Sequence, residues 1–500
     1  MVTCTHSYLI YSNMKDILKL SIAEMHDKLK KREFSAVELT KLHIEAVDNE
    51  KLNAFVTKTP EIALSAAEKA DHIFTHQKDN ITPLTGIPVG IKDLFCTKNV
   101  RTTACSNILK NFIPQYDATV TKLLLNNGAV MLGKLNMDEF AMGSSNSNSC
   151  FGNVKNPWIR ADGAEVVPGG SSGGSSAAVA GFLCAGALGS DTGGSVRQPA
   201  AFCGIVGLKP TYGRCSRSGM IAFASSLDQA GVLTRTVEDA ALMLQSICGY
   251  DTQDPTSANI NVPKFSENIT HKIKGTRIGI PKEYELSGKH QEYTEISEMW
   301  SKGIQYLKDE GAEIIEISLP HTSYALPVYY IICSAEASSN LARYDGIRYG
   351  TRVSSDDINE MYQLTRGHNF GTEVKRRILI GAYALSSGYY DAYYNKAQCI
   401  RRLVTNDFIK AFKKIDYILT PTAPKEAFSI NEQLDTLTMY LNDVFTVPAS
   451  LAGLPAISVP IGLSKNNLPL SLQIIGNYYD EGGILNLASI IEKHTGRILK

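Results

Sequence analysis

One stretch of this chain concentrates glycine and serine between two prolines, Pro168 to Pro199: PGGSSGGSSAAVAGFLCAGALGSDTGGSVRQP. Its two clusters, Gly169–Gly174 and Asp191–Ser195, bracket an apolar, alanine-rich segment expected to form a buried helix. Glycine allows tight turns and close backbone approach at both ends. Successive N–H groups in such a turn form a nest for an anion. An oxyanion hole needs donors of this kind, fixed before charge develops on a substrate oxygen. Ser195, at the end of Thr192-Gly193-Gly194, would hold its hydroxyl beside those donors. Two other readings are a flexible loop and a phosphate cradle. The apolar filling, and the Arg197-Gln-Pro199 and Phe202 that follow, speak against a linker, and no GxxxxGK[ST] motif is present. Gly169-x-Ser171-x-Gly173 also fits the GxSxG elbow of α/β-hydrolases. Pro168 disfavours the strand that elbow requires, however, and His271, His290, His321, His368 and His494 have no recognisable catalytic setting.

The elements that must hold this stretch read as α/β. Residues 14–76 look helical, with capping boxes at Ser21/Glu24 and Ser35/Glu38 and apolar residues at helical spacing, such as Leu39, Leu42 and Ala46. From Thr85 onward, short apolar segments are punctuated by glycine and proline. Strands are expected at 86–91, 129–133, 276–281, 313–318, 417–419, 456–459 and 470–475, with a helix over 119–126 and a polar, irregular stretch over 251–274. Strands alternating with helices argue for layered α/β architecture. No repeat or low-complexity linker divides the chain. The expectation is one large domain with a helical N-terminal layer and a peripheral insertion.

Composition narrows the functional classes. Lysine plus arginine equals aspartate plus glutamate, 50 against 50, so there is no global attraction to nucleic acid or to an anionic membrane. If RNA is involved, another chain is expected to hold it. The 10 cysteines form no CxxC pair or zinc-type spacing, which suits free thiols in a reducing cytosol. The longest small or apolar run, Ala177 to Gly189, is too short to span a bilayer. Residues 1–13 do not resemble a signal peptide. Met14 opens a more typical amphipathic start, so residues 1–13 are expected to be an N-terminal extension to a single domain over 14–500.

At the glycine–serine core the sequence resembles the amidase signature family: Gly169–Gly174, Asp191–Ser195 and the continuation Arg197–Gly204 follow its signature, and the similarity runs from about Ser21 to the C-terminal strands. Within the family it is similar to the subunits that supply ammonia to tRNA-dependent amidotransferases, through Leu135–Gly143, Leu385–Tyr393 and Leu437–Tyr440. The resemblance implies an α/β fold with a large mixed central sheet flanked by helices. It also implies a relay of Lys92, which ends Gly86-Ile-Pro-Val-Gly-Ile-Lys92, with Ser171 after a cis peptide and Ser195 as nucleophile. Alone, Lys92 would ordinarily be a solvated lysine and Ser171 a turn residue or helix cap. A serine hydroxyl needs a base, and lysine serves only when neutral, so Lys92 must be buried enough to lose its proton.

For glutamine as substrate, the resemblance points to Arg377 for the α-carboxylate, Asp443 for the α-ammonium and Tyr329 as a further contact. A forked guanidinium suits bidentate carboxylate binding. Arg376 and Tyr330 are the adjacent alternatives. The implied partners are a large kinase-like subunit, which activates Glu-tRNA(Gln) with ATP and magnesium, and a small bridging subunit. No cofactor or metal is implied on this chain. The competing function within the same family is a stand-alone amidase acting on another amide. A catalytically dead scaffold is disfavoured by Lys92, Ser171 and Ser195 standing together.

Overall fold

Ser21 and Ser35 begin helices α1 (Ile22–Lys31) and α2 (Ala36–Asp48). Each serine hydroxyl accepts the third helical amide, and the glutamate there returns to the serine N–H, completing both capping boxes. This computed structural model describes residues 16–285, 293–432 and 434–499. The expectations for residues 1–13, Met14 and His290 lie outside them. The helical reading of 14–76 needs one correction. Phe55–Lys58 is a strand, β1, ahead of α3 (Pro60–His76). Its β-branched Val56 and Thr57 favour extended backbone, but four residues are too few to show a period between two helices.

Next come β2 (Pro88–Lys92), α4 (Thr119–Asn126) and β3 (Val130–Leu135), then α5 (Gly173–Ala180), β4 (Gly186–Asp191) and α6 (Arg197–Cys203). The segment between the glycine–serine clusters is therefore half helix and half strand, not one buried helix. Phe182 takes a left-handed φ of 59° just after α5 and turns the chain into β4. Every residue of β4 is buried. A strand covered on both faces has no polar alternation, so its pattern cannot be told from that of a buried helix. The strands β5 (Val206–Lys209) and β6 (Gln229–Thr234), before α7 (Val237–Ile247), were not expected from sequence for the same reason.

The second half adds β7 (Arg277–Pro281), α8 (Thr294–Asp309), β8 (Glu313–Ile317) and a helical block, α9 (Ala325–Asn340), α10 (Ile358–Asn369), α11 (Thr372–Leu385) and α12 (Lys396–Ala411). It closes with β9 (Tyr417–Pro421), α13 (Thr436–Leu441), α14 (Val447–Leu451), β10 (Ala456–Leu463), β11 (Pro469–Ile475) and α15 (Glu481–Thr495). The strands of the described residues join one 11-stranded sheet in the order β1-β3-β2-β4-β6-β5-β10-β11-β9-β7-β8. It is mixed: β2 runs parallel to β3 and β4, whereas β4 and β6 are antiparallel. The expected fold class holds. Because β2 and β4 are parallel neighbours, their C-terminal ends lie side by side, and these ends carry Lys92 and Ser190-Asp191.

Candidate active site

Lys92 is completely buried at the end of β2. Its Nζ donates to three hydroxyls: Ser171 Oγ at 2.8 Å, Ser172 Oγ at 2.8 Å and Ser190 Oγ at 2.9 Å. Three hydroxyls match the three protons of an ammonium. None carries the negative charge that would hold the proton, and among the described residues no carboxylate lies within ion-pair distance of Nζ. Burial pushes the amine down to about 7, against the weaker opposite pull of Asp138 and Asp191. The nitrogen is thus divided between charged and neutral forms near neutrality, and losing one proton turns a lone pair toward a serine.

The peptide bond between Gly170 and Ser171 is cis. Gly170 N–H donates to Gln198 Oε1 at 3.0 Å. Ser172 ties the loop to β4, donating to Ser190 C=O at 3.2 Å and accepting Ser190 N–H at 3.3 Å. Its own N–H donates to Ser195 C=O at 3.2 Å, which joins the two glycine–serine clusters directly. Ser195 keeps 8% of its surface open, while Ser171 has none. Of the two, Ser195 is the one a substrate can reach.

The turn carrying Ser195 is braced from both sides. Thr192 Oγ1 donates to Asp228 Oδ1 at 2.7 Å, and Asp228 Oδ2 accepts the N–H groups of Phe223 and Ala224 at 2.9 and 3.0 Å. Burial raises the Asp228 carboxyl to about 6. Thr446 Oγ1 donates to Gly193 C=O at 2.7 Å. Behind the turn, the buried Asp191 binds Arg197 through two contacts of 2.9 Å each. Burial works against ionising Asp191, but the guanidinium outweighs it and holds the carboxyl below its usual range. Arg197 also reaches Thr446 C=O at 2.9 Å and Ser450 Oγ at 2.8 Å, which pins α14 to the turn. Gly193 and Gly194 are required here. A Cβ on Gly193 would lie 2.6 Å from the Tyr329 ring, and one on Gly194, at φ +149°, would lie 2.1 Å from Thr446 Oγ1. With the turn so held, the N–H groups of Thr192, Gly193, Gly194 and Ser195 have no acceptor among the described residues, although all four residues are buried. Buried backbone donors are rarely left unused, so a run of them marks a place for an incoming oxygen.

Two of the expected substrate contacts, Tyr329 and Asp443, pack on the same turn, and Arg377 lies among the rings of Phe223, Tyr330 and Tyr440. Tyr329, on α9, packs its ring on Gly193, while the adjacent Tyr330 stacks on Tyr440 with centroids 3.7 Å apart. Arg377 is only 3% exposed, donates to Glu373 Oε1 at 2.7 Å and lies 4.7 Å from the Tyr330 ring centroid. Of the five guanidinium N–H groups, Glu373 and Cys333 Sγ take one each, leaving three without an acceptor among the described residues. Arg376 points outward, with its side chain 43% exposed. Asp443 is 8% exposed and its Oδ1 lies 3.2 Å from the Cβ position of Gly194. Its carboxylate accepts no hydrogen bond among the described residues. Burial, helped by Asp191, pushes its carboxyl well above the usual range. A buried carboxylate without donors is costly until a cation arrives.

Ser172, Ser190, Asp191, Asp228, Arg197 and Gln198 were not singled out from sequence, although all but Asp228 stand inside the quoted core. The hydrolase reading fails on geometry. No strand leads into Ser171, and among the described residues no histidine hydrogen-bonds to Ser171 or Ser195. Among the described residues no group of three or more histidine, cysteine or carboxylate side chains is placed to hold a metal ion.

Comparison with known proteins agrees over nearly the whole chain. The Amidase family model matches residues 35–485. A glutamyl-tRNA(Gln) amidotransferase subunit of Ehrlichia canis is 97% identical over 487 residues, covering 97% of this chain and 100% of that protein. The crystal structure of a glutamyl-tRNA(Gln) amidotransferase subunit from Thermotoga maritima superposes with a TM-score of 0.75 at 40% identity, covering 97% of this chain and 94% of that one. The native peptide amidase of Stenotrophomonas maltophilia gives a TM-score of 0.79 at 28% identity, covering 95% and 96%.

Proposed function

The chain belongs to the amidase family, and we propose that it is the glutamine-hydrolysing subunit of a glutamyl-tRNA(Gln) amidotransferase. The observation that carries the chemistry is Lys92, buried and held near neutrality against the hydroxyl of Ser171. In this reading neutral Lys92 takes the Ser171 proton as Ser171 takes that of Ser195, and Ser195 Oγ bonds to the side-chain amide carbon of glutamine. The N–H groups of Thr192, Gly193 and Gly194 receive the oxyanion, using donors already fixed in place. The relay returns the proton to the amide nitrogen, the C–N bond breaks, and ammonia leaves. Water then cleaves the Ser195 ester through the same base, releasing glutamate. Arg377 binds the α-carboxylate, Asp443 the α-ammonium, and Tyr329 bounds the pocket beside Gly193.

The ammonia serves to convert Glu-tRNA(Gln) to Gln-tRNA(Gln) on another chain. The tRNA-borne glutamate is activated with ATP and magnesium on a large kinase-like subunit, and a small subunit bridges the assembly. Residues 14–500 act as one amidase domain, with 1–13 an extension to it. Among the described residues no helix is long and apolar enough to cross a membrane, and the reading places the enzyme in the cytosol.

The test is ammonia release from glutamine by the assembled enzyme, comparing wild type with Ser195→Ala. Hydrolysis should vanish in the variant, while amidation driven by added ammonia continues. Equal hydrolysis in both would overturn the Ser195 assignment. Hydrolysis of other amides but not glutamine would favour the stand-alone amidase.

A further inference from the structure

The segment after β3, residues 136–148, carries two adjacent carboxylates, Asp138 and Glu139, which are 0% and 4% exposed. Strained backbone follows them: Phe140 and Ala141 take left-handed φ values of 51° and 62°. Burial raises both carboxyls, Asp138 to about 6 and Glu139 to about 7. Two buried acids and two left-handed residues all cost stability, which points to a use at the site rather than in the core.

The two side chains bind different parts of the site. Asp138 contacts the serine loop. Its N–H donates to Ser171 C=O at 3.2 Å, and a Cβ added at Gly170 would lie 2.1 Å from its Oδ2. Its carboxylate accepts the N–H groups of Asn146 at 2.9 Å and Asn148 at 3.0 Å, and Asn146 Oδ1 accepts Gly174 N–H at 3.2 Å. Glu139 instead reaches the start of α11. Its Oε2 accepts Gly371 N–H at 2.8 Å, across 232 positions of the chain, while its Oε1 accepts Ser106 Oγ. Gly371 is the N-cap of α11 and has no side chain to cap the helix itself, so Glu139 supplies the anion from outside. A Cβ added at Gly371 would lie 2.3 Å from that Oε2, so the carboxylate rests directly on the helix start. Arg377 lies further along the same helix. A helix advances about 1.5 Å per residue, so a slip at its start moves the guanidinium by an amount that matters to a bidentate contact.

We propose that Asp138 and Glu139 are positioning residues with separate targets: Asp138 holds the Ser171 loop for the proton relay, and Glu139 holds α11 so that Arg377 meets the substrate carboxylate. This rests on the functional reading above and adds two residues to it.

The experiment measures glutamine hydrolysis by the assembled enzyme for wild type, Glu139→Ala, Gly371→Ala and Asp138→Asn, with inhibition by glutamate and by 4-aminobutanamide. The second inhibitor has the amide and the amine of glutamine but no α-carboxylate. Retained thermal transitions show that the variants fold; if Glu139→Ala does not, Gly371→Ala carries the test of α11. Glu139→Ala removes the anchor and Gly371→Ala drives a methyl into it. Both should raise KM for glutamine and the inhibition constant of glutamate by about tenfold, with kcat within about twofold. The inhibition constant of 4-aminobutanamide should not change. Asp138→Asn loses one of two acceptors for the loop and should lower kcat by about tenfold, with KM within about twofold. Wild-type kinetics in all three variants would overturn the proposal. So would parallel losses in KM and kcat, or equal weakening of both inhibitors in Glu139→Ala and Gly371→Ala, since these mark general loosening. Glutamine hydrolysis by wild type leaves the functional reading standing in each of those cases. Wild type that binds the two inhibitors equally would overturn the Arg377 assignment in that reading, and the role of Glu139 with it.

Discussion

The sharpest consequence of the structure concerns the proton on Lys92. An exposed lysine titrates near 10.5, whereas burial brings Lys92 to about 7. At pH 7 an exposed lysine is neutral about three times in ten thousand, and Lys92 about half the time, so burial enlarges the base-competent fraction roughly a thousandfold. The sign follows from the proposed mechanism: with the neutral amine as the base, activity rises with pH. For glutamine hydrolysis by the assembled enzyme, kcat/KM should climb with an apparent pKa near 7, gaining about tenfold between pH 6 and pH 8 before levelling. The same burial carries a stability cost. With the folded pKa below the unfolded one, the unfolded chain binds the extra proton between about pH 7 and 10.5, so stability rises with pH across that window. The full cost, reached below pH 7, is about 5 kcal/mol. Lys92→Met removes it but also the bonds to Ser171, Ser172 and Ser190, at about 1 kcal/mol each. The inactive variant should therefore be about 2 kcal/mol more stable than wild type at about pH 6, and the gap should close and then reverse as pH approaches 10.5. Glutaminase pH profiles and denaturant titrations at several pH values measure both. A wild-type profile flat from about pH 6 to 9, together with a stability gap independent of pH, would refute the assignment of Lys92 as the titrating base.

Other substitutions probe the parts separately. Asp443→Asn should raise KM for glutamine by about 10- to 100-fold, yet scarcely affect a substrate analogue lacking the α-ammonium, as steady-state kinetics on both would show. Gly194→Ala drives a methyl into Thr446 Oγ1 and displaces the donor turn; kcat should fall by about 100-fold or more with a smaller change in KM. Thr192→Val removes the anchor on Asp228 and should lower kcat by about tenfold, measured on the same assay. Asp191→Asn leaves Arg197 buried beside a neutral amide, so the melting transition should drop by the equivalent of about 3–5 kcal/mol.

Much of this protein is legible along the chain. Ser21 and Ser35 announce their helices because a capping box is a local exchange of hydrogen bonds between residues three apart. The strands through Ile91, Ile278, Ile315 and Ile474 show as short apolar runs between turn residues. The glycine–serine core shows because an anion-binding turn needs glycine at particular places, and no distant contact substitutes for that. β4 and β6 stayed hidden because complete burial erases the alternation that identifies a strand, and β1 because it is too short to have a period.

Read along the chain alone, the residues supply the groups available: a lysine at the end of a strand, two serine-bearing turns, and paired candidates for the substrate clamp. Packing sets which of them come together. Arg376 and Arg377 are adjacent and chemically identical, and only the packing of α11 turns one into the site and the other into solvent. Asp443 suits the proposed cation site only because the fold buries it without a donor among the described residues. Lys92 suits the proposed base only because Ser171, Ser172 and Ser190, 79 to 98 residues further along the chain, surround it with neutral oxygens. A pKa is set by desolvation and by charges within a few ångströms, and which groups come that close is a property of the packed sheet, not of any local stretch of residues.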